Sequence, residues 1–193
     1  MKRICVFAGS SRGAREDYAQ AAQQLARELV ARDCEVVYGG GKVGMMGVLA
    51  DATLAAGGKV IGVIPKALLA KEVGHGGLTE LRVVGSMHER KAMMAELSDG
   101  FIALPGGLGT MEEFFEVLTW AQLGLHAKPC GLLNVSGYFD RLLEFLDLTV
   151  SERFVKSEHR ALVITSTAPK ELLERLAAYQ PPRVEKWIDR ASS

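Results

Sequence analysis

Residues 101–113 read FIALPGGLGTMEE, which is a short apolar run, a turn with three glycines and the start of an apolar-rich helix. The apolar run is typical of a buried strand, and the helix is predicted to continue to about Leu123. Glycines let the backbone approach a ligand closely, and the free N–H groups of the helix start point back at that ligand. The stretch therefore predicts a strand, a phosphate-binding turn and a helix, which together form the repeating unit of a parallel α/β sheet.

Two carboxylates follow this turn directly. Glu112 and Glu113 should repel the anion that the turn attracts, so we expect chemistry beside a phosphate. Successive helical residues are about 100° apart, so at most one of the two should face the ligand. Thr110 and Glu113 also form T-x-x-E, the capping box in which Thr caps a helix and Glu bonds back to the cap amide. From these residues alone, the purely structural alternative stays open.

Short apolar runs alternate with amphipathic segments along the rest of the chain. Strands are predicted at residues 3–8, 35–38, 59–64, 101–104, 129–134 and 161–165. Helices are predicted at residues 17–31, 44–56, 87–97, 138–150 and 170–179, besides the one after the glycine turn. The stretch 66–85, which contains Gly74, Gly76 and Gly77, is predicted to be irregular and mobile. The pattern indicates one Rossmann-like domain, residues 1–180, with a doubly wound parallel sheet flanked by helices, followed by a C-terminal tail at residues 181–193.

Glycine-rich turns follow the first, second and fourth predicted strands. In a doubly wound sheet, ligands bind beyond the carboxyl ends of the strands, where the strand order reverses. With the common order 3-2-1-4-5, the first and fourth strands are neighbours and their loops face one crevice. We therefore expect Ser10 and Gly41 to contact the same ligand as the glycine turn.

Composition limits the partners. Lys plus Arg and Asp plus Glu both total 23, so the formal net charge is zero, which argues against a polynucleotide partner. The apolar run after Met1 is too short for a signal peptide or a membrane span, so we expect a cytoplasmic protein with no membrane contact. Cys5, Cys34 and Cys130 lack CxxC or CxxH spacing, and the histidines show no ligand spacing, so we expect no metal.

Residues 39–44 read GGGKVG, which satisfies the GxGxxG pattern of dinucleotide-binding folds. That fold places an acidic residue about 20 positions on, at the end of the next strand, but residues 63–66 read VIPK. A Walker loop is excluded because the Gly-Lys-Ser/Thr ending is missing. We therefore expect no nicotinamide and no other cofactor, and interpret this run as a phosphate or ribose contact or a tight turn.

Residues 88–91 read HERK and begin the helix before the fourth strand. A charge run is most often a solvated helix face. Alternatively, Arg90 offers its planar guanidinium to a phosphate or carboxylate, while Lys91 adds a point charge.

Together, PGGxGTxxE at residues 105–113 and MHERK at residues 87–91 resemble the LONELY GUY family, the cytokinin riboside 5'-monophosphate phosphoribohydrolases. Further matching residues lie at 5–11, 38–47, 122–129 and 134–138. The resemblance therefore covers roughly residues 3–180.

Members of that family cleave the N-glycosidic bond of a nucleoside 5'-monophosphate, which releases a free base and ribose 5-phosphate. The resemblance implies that Arg90 and Glu113 are the catalytic pair. Because a pocket gains only modest discrimination from the apolar tail of a prenylated adenine, we expect AMP to be a further substrate. The substrate-binding residues that it implies are Glu72, Lys91, Gly106, Gly107, Leu108, Gly109, Thr110, Met111, Glu112 and Thr119.

The chemistry of these residues agrees with that reaction. Breaking the C1'–N bond builds positive charge on the ribose, which a carboxylate such as Glu113 stabilises while it orients water. We expect Arg90 to lower the pKa of Glu113 and keep it ionised.

Two rival functions are considered. One is a nucleotide-binding or sensing protein without catalysis, in which Glu113 is only a helix cap. Another is a pyridoxal-phosphate lysine decarboxylase, which needs a Schiff-base lysine that nothing near Lys91 or Lys128 indicates.

The helix after the glycine turn is apolar on more than one stripe, which favours a homodimer.

Overall fold

The computed structural model describes residues 1–69 and 74–181. Within these residues, seven strands form one parallel sheet in the order β4-β3-β2-β1-β5-β6-β7. The strands are β1 (Arg3–Phe7), β2 (Glu35–Tyr38), β3 (Val60–Pro65), β4 (Glu80–Val84), β5 (Gly100–Ala103), β6 (Cys130–Leu133) and β7 (Val163–Ser166). The predicted Rossmann-like α/β class and the inner order 3-2-1-4-5 are confirmed, and β1 lies beside β5.

Helices cover both faces of the sheet. Their bounds are α1 (Glu16–Val30), α2 (Gly44–Ala55), α3 (Lys66–Leu69), α4 (Met87–Leu97), α5 (Leu108–Gln122), α6 (Asp140–Ser151), α7 (Ser157–Arg160) and α8 (Pro169–Ala177). A 3₁₀ turn spans Val135–Gly137.

Strand β1 shows why the inner strands are apolar throughout. Ile4 and Val6 pack into one core with side chains of α1, α2 and α8. Cys5 and Phe7 point the other way, into a second core with side chains of α4, α5 and α6. Because successive strand residues face opposite sides, a sheet covered on both faces needs apolar residues at every position.

The prediction for residues 66–85 was wrong in part. Residues 80–84 form β4, which pairs with β3 at the edge of the sheet formed by the described residues, and residues 66–69 form the short helix α3. Of the five β4 residues only Val84 is buried, so the strand lacks the apolar run that marks the inner strands. Pro65 ends β3 opposite Val84, where a missing N–H is tolerated. Residues 70–73 lie outside the described residues.

Two further differences are small. Helix α7 was not predicted, and α6 begins at Asp140 rather than at Tyr138, because the 3₁₀ turn intervenes. The chain is described to residue 181, so the tail predicted at residues 181–193 lies outside the described residues except for its first residue.

Candidate active site

The turns after β1 and β5 meet at the carboxyl edge of the sheet. A Cβ built on Gly9 would lie 3.4 Å from the Cα of Gly106, so the two backbones are nearly in contact. A cavity of about 230 Å³ lies between these turns and is also lined by Tyr18 and Tyr138. The expectation that the two turns face one crevice is confirmed.

Helix α5 begins within the glycine turn. Gly107 is its N-cap residue and Leu108 its first residue, so Thr110 lies inside the first turn and is buried there. A Cβ on Gly106 would overlap the Thr110 side chain, which explains the glycine. A Cβ on Gly107 or Gly109 would meet no atom within 4 Å, so the outer face of the turn is open.

The capping-box interpretation is wrong. The N-cap is Gly107, no side chain caps the helix, and the Glu113 carboxylate bonds to Arg90 instead. Among the described residues, no protein oxygen accepts from the N–H groups of residues 107–110. The start of α5 therefore presents four N–H groups to solvent or to an anionic ligand.

Arg90 and Glu113 form a buried ion pair. Arg90 Nη1 donates to Glu113 Oε1 at 2.9 Å, and each side chain is only 10% exposed. Arg90 Nε donates to the carbonyl of Val63 at 3.1 Å, and Nη2 donates to that of Gly39 at 3.3 Å. The guanidinium is thus held between the ends of β2 and β3, and it holds Glu113 in the second turn of α5.

The arrangement depends on Gly39. A Cβ at this position would overlap the Arg90 guanidinium, so any larger residue would displace it. The glycine run at residues 39–44 therefore has a structural use beside the ion pair.

Burial raises the pKa of Glu113 above its ordinary value of 4.5, and the positive charge of Arg90 only partly opposes this. The expectation that Arg90 would give a lowered pKa was therefore wrong in its net direction. A carboxylate pays for leaving water, and one guanidinium does not restore all of the lost solvation. Glu113 is consequently a stronger base than a carboxylate in water.

Lys91, one residue after Arg90, has different partners. Its Nζ donates to Glu112 and, at 3.0 Å, to Glu116, and the Glu112 side chain is 54% exposed. These contacts join α4 to α5 on their outer surface. In the HERK run, His88 and Glu89 are exposed as a solvated face requires, whereas Arg90 is buried.

The glycine run at residues 39–44 packs against the β1 turn rather than presenting a free helix start. The Gly9 carbonyl accepts from the N–H groups of Met45 and Met46 at 3.0 and 3.3 Å. Gly44 has φ +62, and a Cβ there would overlap the backbone of Ser10. Because a protein carbonyl occupies the start of α2, the tight-turn interpretation of GxGxxG is the one that the structure supports.

The other predicted binding residues are distributed unevenly. Ser10 is exposed in the turn that lines the cavity, whereas Gly41 is buried and its carbonyl accepts from the Tyr38 hydroxyl at 3.1 Å. Leu108, Gly109 and Glu112 are exposed, and Met111 is half-buried.

Thr119 is not brought to the ion pair. It lies about 9 Å along α5 from Glu113 and is exposed. Its hydroxyl donates to the carbonyl of Phe115 at 2.7 Å. Glu72 lies outside the described residues.

Sequence reasoning missed His75. Its Nε2 lies 2.9 Å from Asp51 Oδ1, and its Nδ1 accepts from the N–H of Gly77 at 3.1 Å. The backbone N–H of His75 donates to the Gly40 carbonyl at 3.0 Å. It therefore fixes Gly40, the residue next to the carbonyl that holds Arg90. No sequence motif joins His75 to Asp51, because the contact is made by the fold.

The described residues contain no group of three or more His, Cys, Asp or Glu side chains that could hold a metal ion. In the same part of the chain, no helix has the length and apolar character needed to cross a membrane.

Comparison with known proteins finds one family model and several similar relatives. The family model described as "Possible lysine decarboxylase" matches residues 46–176. The chain is 53% identical over 180 residues to the probable cytokinin riboside 5'-monophosphate phosphoribohydrolase LOGL6 of Oryza sativa subsp. japonica, covering 93% of this chain and 72% of that protein. It is 52% identical to the cytokinin riboside 5'-monophosphate phosphoribohydrolase LOG5 of Arabidopsis thaliana, covering 93% of this chain and 79% of that protein.

A solved structure of the molybdenum cofactor carrier protein from Chlamydomonas reinhardtii superposes with a TM-score of 0.68. Its sequence identity is 22%, and the match covers 92% of this chain and 99% of that one. At this identity the likeness concerns the fold alone.

Proposed function

Because this chain belongs to the cytokinin riboside 5'-monophosphate phosphoribohydrolase family, we propose that it is a hydrolase of N-glycosidic bonds. Its proposed substrates are cytokinin riboside 5'-monophosphate and AMP, and its products are a free base and ribose 5-phosphate. The observation that carries the proposal is the buried pair of Arg90 and Glu113 beside the open start of α5. The family resemblance in the sequence is confirmed by relatives at about half identity.

In this mechanism the 5'-phosphate anchors the substrate at the start of α5. The N–H groups of residues 107–110 have no protein acceptor among the described residues, and the helix dipole favours an anion there. Binding the 5'-phosphate at this point fixes the ribose against the start of α5. Binding energy from the phosphate then serves to orient the C1'–N bond at the reacting centre.

Glu113 acts on the ribose. As the C1'–N bond breaks, positive charge develops at C1' and the Glu113 carboxylate stabilises it. Water then forms the new C1'–O bond and gives its proton to Glu113, whose raised pKa makes it the better acceptor. The leaving base takes its proton from solvent.

In this mechanism Arg90 positions the Glu113 carboxylate rather than binding the phosphate. Its guanidinium donates to two backbone carbonyls and to the carboxylate, which fixes the carboxylate's position. Such a fixed geometry matters, because a displacement of about 1 Å can lower a rate about 100-fold. Of the predicted binding residues, Lys91 is then the cation that attracts the phosphate.

The decarboxylase alternative does not fit these residues. A Schiff-base lysine must lose its proton, but hydrogen bonds to Glu112 and Glu116 raise the pKa of Lys91. Lys128 Nζ donates to the carbonyl of Ala95, a residue of α4, at 2.7 Å. Neither lysine has the surroundings of an imine-forming amine.

The experiment is an assay of the purified protein with AMP, isopentenyladenosine monophosphate, GMP and CMP, with the corresponding nucleosides as matched controls. We expect equal amounts of free base and ribose 5-phosphate from AMP and the prenylated nucleotide, and much less from nucleosides without the phosphate. Tight nucleotide binding without release of any base would refute hydrolysis and support the sensing alternative.

We also propose a cytoplasmic homodimer. All three cysteines are free and buried, as in reducing compartments. Exposed apolar side chains that a second subunit would cover include Leu123, Leu125, Phe145, Leu148 and Phe154. Light scattering should give about twice the chain mass of 20.9 kDa, and a mass equal to one chain would contradict the dimer.

A further inference from the structure

Tyr138 touches the glycine turn from outside the PGGxGTxxE motif. It lies after β6, 32 residues along the chain, and its hydroxyl donates to the Gly106 carbonyl at 2.7 Å. The same side chain lines the cavity of about 230 Å³ between the β1 and β5 turns. Sequence reasoning assigned no role to this residue.

The contact determines which way a neighbouring N–H points. The described chain has no cis peptide bond, so the Gly106 carbonyl and the Gly107 N–H lie on opposite sides of one planar unit. When Tyr138 holds the carbonyl on its own side, the Gly107 N–H is turned away from Tyr138. Neither glycine has a side chain that restrains this peptide, and the Tyr138 hydroxyl adds to the restraints from Gly9 and from the Gly107 carbonyl, which accepts from the N–H of Met111.

Tyr138 is itself held by an unusual turn. Ser136 has φ +51, which is rare for a residue other than glycine, and Gly137 follows with φ +73. The Ser136 hydroxyl donates to Asp17. Asn134 Oδ1 accepts from the N–H of Phe139 at 2.8 Å, which closes the turn on the other side.

The Tyr138 ring is fixed by aromatic contacts as well. The Tyr18 ring meets it edge-on with centroids 5.6 Å apart, and the Phe139 ring does so at 5.0 Å. A strained backbone persists only where its surroundings over-determine it, and such positions concentrate at functional sites. Here the strained turn places the Tyr138 hydroxyl against the Gly106 carbonyl.

We propose that Tyr138 is a positioning residue, which holds the Gly106–Gly107 peptide so that the Gly107 N–H joins those of residues 108–110 in binding the substrate phosphate. The inference rests on the proposed function for the identity of the substrate. It adds to that function a residue from a different loop that sets phosphate affinity. Tyr138 contributes to ground-state and transition-state binding alike, so its effect falls on KM rather than on kcat.

The test compares Tyr138→Phe with Tyr179→Phe. Both variants lose one tyrosine hydroxyl, but the Tyr179 side chain packs against the second core and does not line the cavity. We expect Tyr138→Phe to raise the KM for AMP and the Kd for ribose 5-phosphate about three- to tenfold, the effect of one neutral hydrogen bond. Its kcat and its melting temperature should stay close to those of the unmodified protein, and Tyr179→Phe should leave KM, Kd and kcat unchanged.

The binding measurement separates this inference from the proposed function. Calorimetry with ribose 5-phosphate reports phosphate affinity even if the protein cleaves no nucleotide, in which case only the proposed function fails. Equal Kd values for Tyr138→Phe and the unmodified protein would overturn the inference. A fall in kcat with an unchanged KM, or an unmodified protein that does not bind ribose 5-phosphate, would overturn it too.

Discussion

Arg90 and Lys91, adjacent residues of α4, both pair with carboxylates of α5, and the two sets differ in the burial of those carboxylates. Arg90 and Glu113 are each only 10% exposed, and the guanidinium also donates to two backbone carbonyls. The Lys91 side chain is 13% exposed, and its partners Glu112 and Glu116 are 54% and 25% exposed. Adjacent helical residues point about 100° apart, so the HERK and MEE runs each divide into an inner and an outer member.

Similar charge patterns thus occur in two surroundings, since the Glu113 carboxylate is buried and the Glu112 carboxylate is exposed. An exposed pair is solvated and contributes about 0–1 kcal/mol to stability. A buried pair is costly to desolvate, and removing one partner leaves an uncompensated charge. A protein retains such a pair where the geometry is needed, and here it lies beside the open start of α5.

The largest effect should come from Glu113→Gln, which keeps the shape of the side chain and removes its charge. We expect kcat for AMP to fall roughly 10²- to 10⁴-fold, because the carboxylate that stabilises the ribose and accepts the proton is lost. Base release measured by chromatography gives the rate. Turnover within a few-fold of the unmodified protein, in a folded variant, would remove Glu113 from the mechanism.

Arg90→Ala should affect stability and activity together. Because Glu113 would remain buried without its partner, we expect a loss of about 3–5 kcal/mol in the free energy of unfolding, measured in urea. Activity should fall about 100-fold through misplacement of the carboxylate. Arg90→Lys keeps the charge but lacks the planar set of donors, so it should recover only part of either loss. Full activity in Arg90→Lys would show that charge alone suffices.

The pH dependence of kcat/KM should report the buried carboxylate. Glu113 acts in its ionised form and its pKa is raised by burial, so activity should be lost as pH falls through a midpoint above the ordinary value of 4.5. Below that midpoint the rate should fall about tenfold per pH unit. Circular dichroism over the same range separates this limb from acid unfolding. An acid limb at or below 4.5 would contradict the raised pKa.

Glu116→Gln is the smallest change and the matched control for Glu113→Gln. It makes the same substitution one turn further along α5 and leaves Lys91 its bond to Glu112. We expect the free energy of unfolding to fall by about 1 kcal/mol or less, because Lys91 keeps its bond to Glu112, and we expect nearly unchanged kinetics. A loss comparable with that of Glu113→Gln would mean that the outer pair, too, belongs to the catalytic site.

The inner part of the fold follows from local patterns. Helix α4 has the predicted bounds Met87–Leu97, and the strands of the central sheet were found from their apolar runs. The edge strand β4 was missed, because four of its five residues are at least partly exposed and a half-solvated strand has no apolar run. For the site, the sequence predicts the glycine turn and the pair of Arg90 and Glu113, but it contains no motif that indicates the contacts of His75 and Tyr138.

The sequence by itself determined the alternation of strands and helices, the glycine turn and the residues that resemble a phosphoribohydrolase, since these depend on neighbours in the chain. Only the tertiary structure decided that α5 begins at Leu108, which removes Thr110 and Glu113 from a capping box. It also decided that Glu113 is buried against Arg90 with a raised pKa, and that Tyr138 holds Gly106. Burial and long-range hydrogen bonds are properties of residues brought together from distant parts of the chain, and these properties turn a common charge pattern into a candidate active site.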